Sequence, residues 1–125
     1  MANIQQSLRA TMEIEGAVGV ALVDWQSGMT LGTAGGGPNL DLEVAAAGNT
    51  EVVRAKQRVI SALKLNDEIE DILITLHRQY HLIRLLTTGK RSDSKLFLYL
   101  VLDRERANLA MARHSLKSIE ADLTV

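Results

Sequence analysis

Cysteine is absent from this chain of 125 residues, which removes disulfides, thiolate metal ligands and thiol nucleophiles together. A single proline is present and aromatic residues make up only 3%, so any core must be built from aliphatic side chains and alanine. Neither sign of charge dominates: 14 Lys and Arg stand against 15 Asp and Glu, for a formal charge of -1. That balance supplies no global field for capturing nucleic acid or an anionic membrane. Uninterrupted aliphatic stretches reach about 8 residues, well short of the roughly 20 that cross a bilayer as a helix. Met1 to Thr11 carries one arginine and no apolar run, unlike a signal peptide, so a cytoplasmic protein without membrane insertion is expected.

What is present suits one folded domain over residues 1–125, with 46% apolar and 23% charged residues. Ile4, Leu8 and Met12 recur at helical spacing and predict a short helix over Asn3–Glu15, stopped near Gly16. Gly16–Asp24 reads as a buried strand. Asp24-Trp-Gln-Ser-Gly28 has turn chemistry, and Met29–Thr33 reads as the return strand of a hairpin. Ala34-Gly-Gly-Gly-Pro38 is expected outside any regular element.

Leu40–Lys64 predicts a long amphipathic helix. At about 100° per residue, Leu42, Ala45, Ala46, Val52, Val53, Val59, Ile60 and Leu63 share one face. Glu43, Glu51, Arg54, Arg58 and Ser61 share the opposite one. Asn49 and Lys56 interrupt the apolar stripe. Beyond it, Ile69–Leu76 and His81–Leu86 read as paired strands about a His77–Tyr80 loop, and Lys95–Asp103 as a central strand apolar on both faces. A closing helix over Arg104–Leu123 carries the seam Leu109, Ala112, Leu116, Ile119 and Leu123. Helices around an antiparallel sheet give an α+β layered domain.

Reactive constellations do not assemble. His77, His81 and His114 lack carboxylates at ligand spacing, and Arg78 and Arg84 sit nearby. Gly89-Lys90 fails the phosphate-loop pattern, because Arg84 stands where its first glycine belongs and Arg91 where Ser or Thr belongs. No Gly-x-Ser-x-Gly elbow exists. The expectation is a protein without enzymatic activity, cofactor or metal. Lys90 and Arg91, with Arg78 and Arg84, form a positive cluster, read either as a solvated loop or as a contact for an acidic partner. Trp25 is read equally as a lid on the apolar layer or as a partner anchor.

The order of elements, with Gly16-Ala-Val-Gly-Val-Ala-Leu-Val-Asp24, the Gly28 turn, the Ala-rich Leu42–Leu63 helix and the Ile69–Leu86 hairpin, resembles the Roadblock family, named after a dynein light chain. The likeness runs from about Ile4 to Leu123. It implies a profilin-like and longin-like fold, with a five-stranded antiparallel sheet in the order 2-1-5-4-3 between a long middle helix and two terminal helices. It also implies a homodimer or heterodimer in which the third strand pairs with its copy across a two-fold axis. Family members serve as regulators or scaffolds of small Ras-like GTPases, some as GTPase-activating partners, or as light chains of motor complexes.

On that reading the self-association surface comprises Ala45, Asn49, Val52, Lys56, Val59 and Leu63, with Ile69, Asp71, Leu73 and Thr75 of the edge strand. Asn49 and Lys56 would set its register, or Lys56 would snorkel to water. Glu51, Arg54 and Arg58, facing outward, would meet the protein partner. A profilin-like or PAS-like ligand-sensing module is the alternative. It needs a pocket between sheet and helix, which an aliphatic core would fill.

Overall fold

A computed structural model describes residues 1–87 and 95–124. The loop holding Gly89, Lys90 and Arg91 lies outside the described residues. The elements run α1 (Ile4–Met12), β1 (Ala17–Asp24), β2 (Met29–Gly35), α2 (Leu42–Ala62), β3 (Asp71–Thr75), β4 (Gln79–Leu85), β5 (Leu96–Asp103) and α3 (Leu109–Asp122). The strands form one antiparallel sheet in the order β2-β1-β5-β4-β3.

Alternation along the strands sends side chains to two separate cores. Leu98, Leu100 and Leu102 of β5 join Val20, Leu22 and Leu82 beneath Leu8 of α1 and Ala112 and Leu116 of α3. Phe97, Tyr99 and Val101 face the other way and pack with Ala21, Val23 and Ile83 beneath Leu42, Ala46 and Val53 of α2. β5 is therefore buried on both faces from Leu96 to Leu102, as a strand apolar on both faces requires. The expected layering, with α2 on one side and the terminal helices on the other, is what the chain adopts.

Helix boundaries follow capping chemistry. Asn3 closes a capping box with Gln6 ahead of α1. Asp41 accepts from the backbone N–H groups of Glu43 and Val44, so α2 begins at Leu42 rather than Leu40. Asn108 caps α3. The helix predicted from Arg104 therefore starts at Leu109, and a turn occupies Arg104–Arg106. α2 ends in a Schellman arrangement, with Lys64 N–H donating to Ser61 C=O at 3.0 Å and Leu65 N–H to Ile60 C=O at 3.2 Å. Lys64 itself adopts φ 56° there.

Two further boundaries differ from expectation. β2 continues through Ala34 and Gly35, residues expected outside any element. Gly35 sits at φ +71°, and a Cβ on it would lie 2.6 Å from the Val18 carbonyl oxygen. Only glycine lets the strand reach its last pairing with Gly19. The β3–β4 turn shrinks to His77 and Arg78, because Leu76 N–H donates to Gln79 C=O at 2.9 Å and draws Gln79 and Tyr80 into β4.

Candidate interaction surface

The sheet has two edges, and they differ. β2 carries a bulge, with Leu22 opposite Gly32 and Val23 opposite Thr30, so Leu31 is the extra residue. Bulges twist an edge away from further pairing. β3 runs in unbroken register against β4, from Asp71 opposite Arg84 to Thr75 opposite Tyr80. Leu76 N–H bonds Gln79 C=O, and Leu85 N–H bonds Glu70 C=O at 3.2 Å. These flanking bonds fix the phase of the ladder. Residues 70, 72, 74 and 76 turn their backbone groups towards β4, and Asp71, Leu73 and Thr75 turn theirs outward. Each of those three offers one N–H and one C=O to a further strand.

Beside that edge lies a groove of about 1190 Å³, lined by Val52 and Lys56 of α2, by the 65–70 loop, and by Asp71 and Ile72 of β3. The helical stripe expected as one face divides in two. Leu42, Ala46 and Val53 pack on the sheet, joined by Thr50, whose hydroxyl donates to Ala46 C=O. Val52, Val59 and Leu63 are turned away and exposed, Val59 by 45% and Leu63 by 62%. The stripe is wider than the strip of sheet beneath it, so its outer half is left uncovered next to β3.

Of the expected self-association residues, Val52, Lys56, Ile69 and Asp71 line this groove, and two of the expected residues are engaged within their own chain. Asn49, expected to meet a second copy, is half-buried and acts on Tyr99 of its own chain, opposing the rise that burial gives the phenol. The Tyr99 hydroxyl lies 3.0 Å from His81 Nδ1, and His81 Nε2 lies 2.9 Å from Gln79 Oε1. Burial pushes His81 below its ordinary value of 6.5 and raises Tyr99. The Tyr99–His81–Gln79 chain ties β5 to β4. Asp71 is held within its own chain as well, bonded through both oxygens by Arg113 of α3 at 3.0 and 3.2 Å. Its backbone, rather than its carboxylate, is what faces out. Leu73 packs into the α1/α3 core, Ile69 packs beneath α2, Ala45 is half-buried, and Thr75 and Lys56 are exposed.

Among the expected partner residues, Glu51 and Arg58 are exposed, whereas Arg54 does not project outward as expected. Its Nε donates to Trp25 C=O at 3.0 Å, its Nη2 donates to Gln26 C=O, and its Nη1 reaches Glu51 at 3.3 Å. The turn carbonyls need donors, and Arg54 is the side chain of α2 that reaches them. Arg84 likewise leaves the proposed positive cluster. It pairs with Glu120 at 2.7 Å, with side-chain exposures of 12% and 0%, and Thr87 N–H donates to the other Glu120 oxygen. Nothing in local sequence marks that pair, because Arg84 and Glu120 are 36 residues apart.

No protein-family model and no curated protein matches the chain. Solved structures do. A Roadblock/LC7 domain from Streptomyces avermitilis superposes with a TM-score of 0.77 at 11% identity, covering 97% of this chain and 94% of that one. Myxococcus xanthus MglB gives 0.78 at 16% identity, over 94% and 91%. The gliding protein MglB from Thermus thermophilus gives 0.74 at 18%, over 93% and 82%. The chain has the Roadblock fold, with the sheet order that the family resemblance implied.

Proposed function

We propose that this chain is a non-enzymatic, dimeric Roadblock-type module that regulates or scaffolds a small Ras-like GTPase. The observation that carries the reading is the β3 strand, free of bulges and at the border of the sheet, beside the uncovered apolar half of α2. An edge strand of this kind in a monomer is an aggregation hazard. Asp71–Thr75 contains neither proline nor lysine to blunt it.

A two-fold axis through Leu73 would oppose Leu73 to its own copy and Asp71 to Thr75 of the second copy. Outward N–H and C=O groups then meet in pairs, and no like charges face each other. The same axis brings the α2 helices side by side. Val52, Val59 and Leu63 would leave water, and Gly48, where a Cβ would meet nothing within 4 Å, leaves room for close approach. Such a contact is isologous, so one set of residues serves both copies.

The joined α2 helices would present Glu51 and Arg58 along the outer flanks to the GTPase, whereas Arg54 is spent on the Trp25 turn. The ligand-sensing alternative has less support, because apolar side chains, with Phe97 and Tyr99 on the α2 side, fill both cores and the large groove is open to solvent beside β3. Light scattering on size-exclusion eluates tests the proposal. A mass twice that of the 13.7 kDa chain at micromolar concentration is expected, and a monomer across the whole concentration range overturns it.

A further inference from the structure

Trp25, the only tryptophan of the chain, stands on the flank of α2 away from β3, and its backbone is fixed from both sides. Its N–H donates to Lys95 C=O at 2.7 Å. Its C=O accepts from Arg54 at 3.0 Å. The turn that follows is closed by Asp24, whose Oδ1 accepts from Gln26 N–H at 2.9 Å and from Ser27 N–H at 3.3 Å. The indole is nevertheless half-exposed, with the Lys95 ammonium 5.2 Å from the ring centroid.

In front of the indole lies a shallow concavity of about 360 Å³, lined by Trp25, Arg54, Gln57, Arg58 and Ser61. Behind it a narrower cleft holds Asp67 and Glu68 with Lys95. The two sides therefore differ in charge. Arg54 is matched by Glu51, but Arg58 has no carboxylate within ion-pair distance among the described residues. An exposed arginine, the aliphatic stem of a clamped one and a rigid indole share one shelf. Tryptophan and arginine are the side chains most enriched at binding hot spots, and a pre-ordered anchor loses little entropy on binding.

From this we infer that the Trp25–Arg58 shelf docks an acidic protein segment, with an apolar side chain of that segment on the indole and its carboxylate on Arg58. The inference deepens the reading of Arg58 as a partner-facing residue, rests on it, and adds Trp25 as the anchor. Arg54 acts here as a positioning residue, because its donors are spent on the turn that carries the indole. The shelf lies within one subunit, so it does not need a second copy.

The full chain provides its own reporter, since all indole fluorescence comes from Trp25. Two blocked pentapeptides serve as probes, one Glu-Glu-Leu-Glu-Glu and the other Lys-Lys-Leu-Lys-Lys. In about 50 mM salt the acidic peptide should shift the emission saturably, and raising the salt to about 300 mM should weaken it. Arg58→Glu should weaken binding about tenfold or more with an unchanged melting temperature. The lysine peptide should give no saturable shift.

An equal response to both peptides, an Arg58→Glu variant that binds as the wild type does, or no saturable response at all would each overturn the inference. Thr75→Pro separates it from the dimer. A monomeric variant that still binds the acidic peptide upholds the shelf, and a wild-type chain that binds the peptide but never dimerises removes the proposed dimer alone.

Discussion

Replacing Thr75 by proline isolates the outer edge of β3 from its inner one. Thr75 lies between the bonded positions 74 and 76, so its N–H points away from β4. Its side chain is exposed. Proline tolerates an edge-strand position whose N–H faces outward, and the β3–β4 ladder should survive it. In a dimer centred on Leu73, three outward residues per copy exchange six hydrogen bonds across the axis. Thr75→Pro deletes two of them and leaves two Asp71 carbonyls without donors.

At about 1 kcal/mol net for each lost backbone bond, and as much again for each orphaned acceptor, the dimer should weaken by roughly 2–4 kcal/mol. That corresponds to about 30- to 1000-fold in the dissociation constant. Sedimentation equilibrium over a concentration series measures it, with far-ultraviolet circular dichroism to check the fold. Thr75→Val, which keeps the N–H, should dimerise as the wild type does. A correctly folded Thr75→Pro variant with a dissociation constant within about threefold of wild type would refute pairing through this edge.

Other perturbations test the packing. Arg84→Met removes the Arg84 guanidinium from the fully buried Glu120 carboxylate, which keeps its bond from Thr87 N–H, and should cost about 1.5–3 kcal/mol in urea unfolding. Lys64→Gly relieves a left-handed position at the end of α2 and should stabilise the fold by about 0.5–1 kcal/mol, read as a higher melting temperature. His81 titrates below its ordinary 6.5 because it is buried, so on acidification the unfolded chain takes up its proton first. Stability should therefore level off above pH 6.5 and fall as the pH drops from 6.5 towards the folded-state pKa. His81→Gln should flatten that limb of the stability profile.

Periodicity made much of the fold legible. Helical recurrence of Ile4, Leu8 and Met12, double-sided apolarity in Leu96–Leu102, and the 3–4 seam of α3 each encode a burial pattern within one element. Periodicity alone places the starts of the second and third helices at Leu40 and Arg104, whereas the side chains of Asp41 and Asn108 set them at Leu42 and Leu109. The breadth of the α2 stripe was legible from periodicity, since helical spacing is local, whereas the edge position of β3 follows only from the Roadblock resemblance.

Tertiary structure alone decided which half of the α2 stripe meets the sheet. That depends on where β1 and β5 lie beneath it, and sequence spacing carries no such information. It also decided that His81 meets Tyr99, that Arg54 turns back onto the Trp25 turn, and that Arg84 finds Glu120 across 36 residues. Each of these polar groups must be satisfied once it is removed from water, and the partner is whichever group the folded chain brings within reach. Local pattern fixes what a residue needs, and only the assembled sheet and helices supply it.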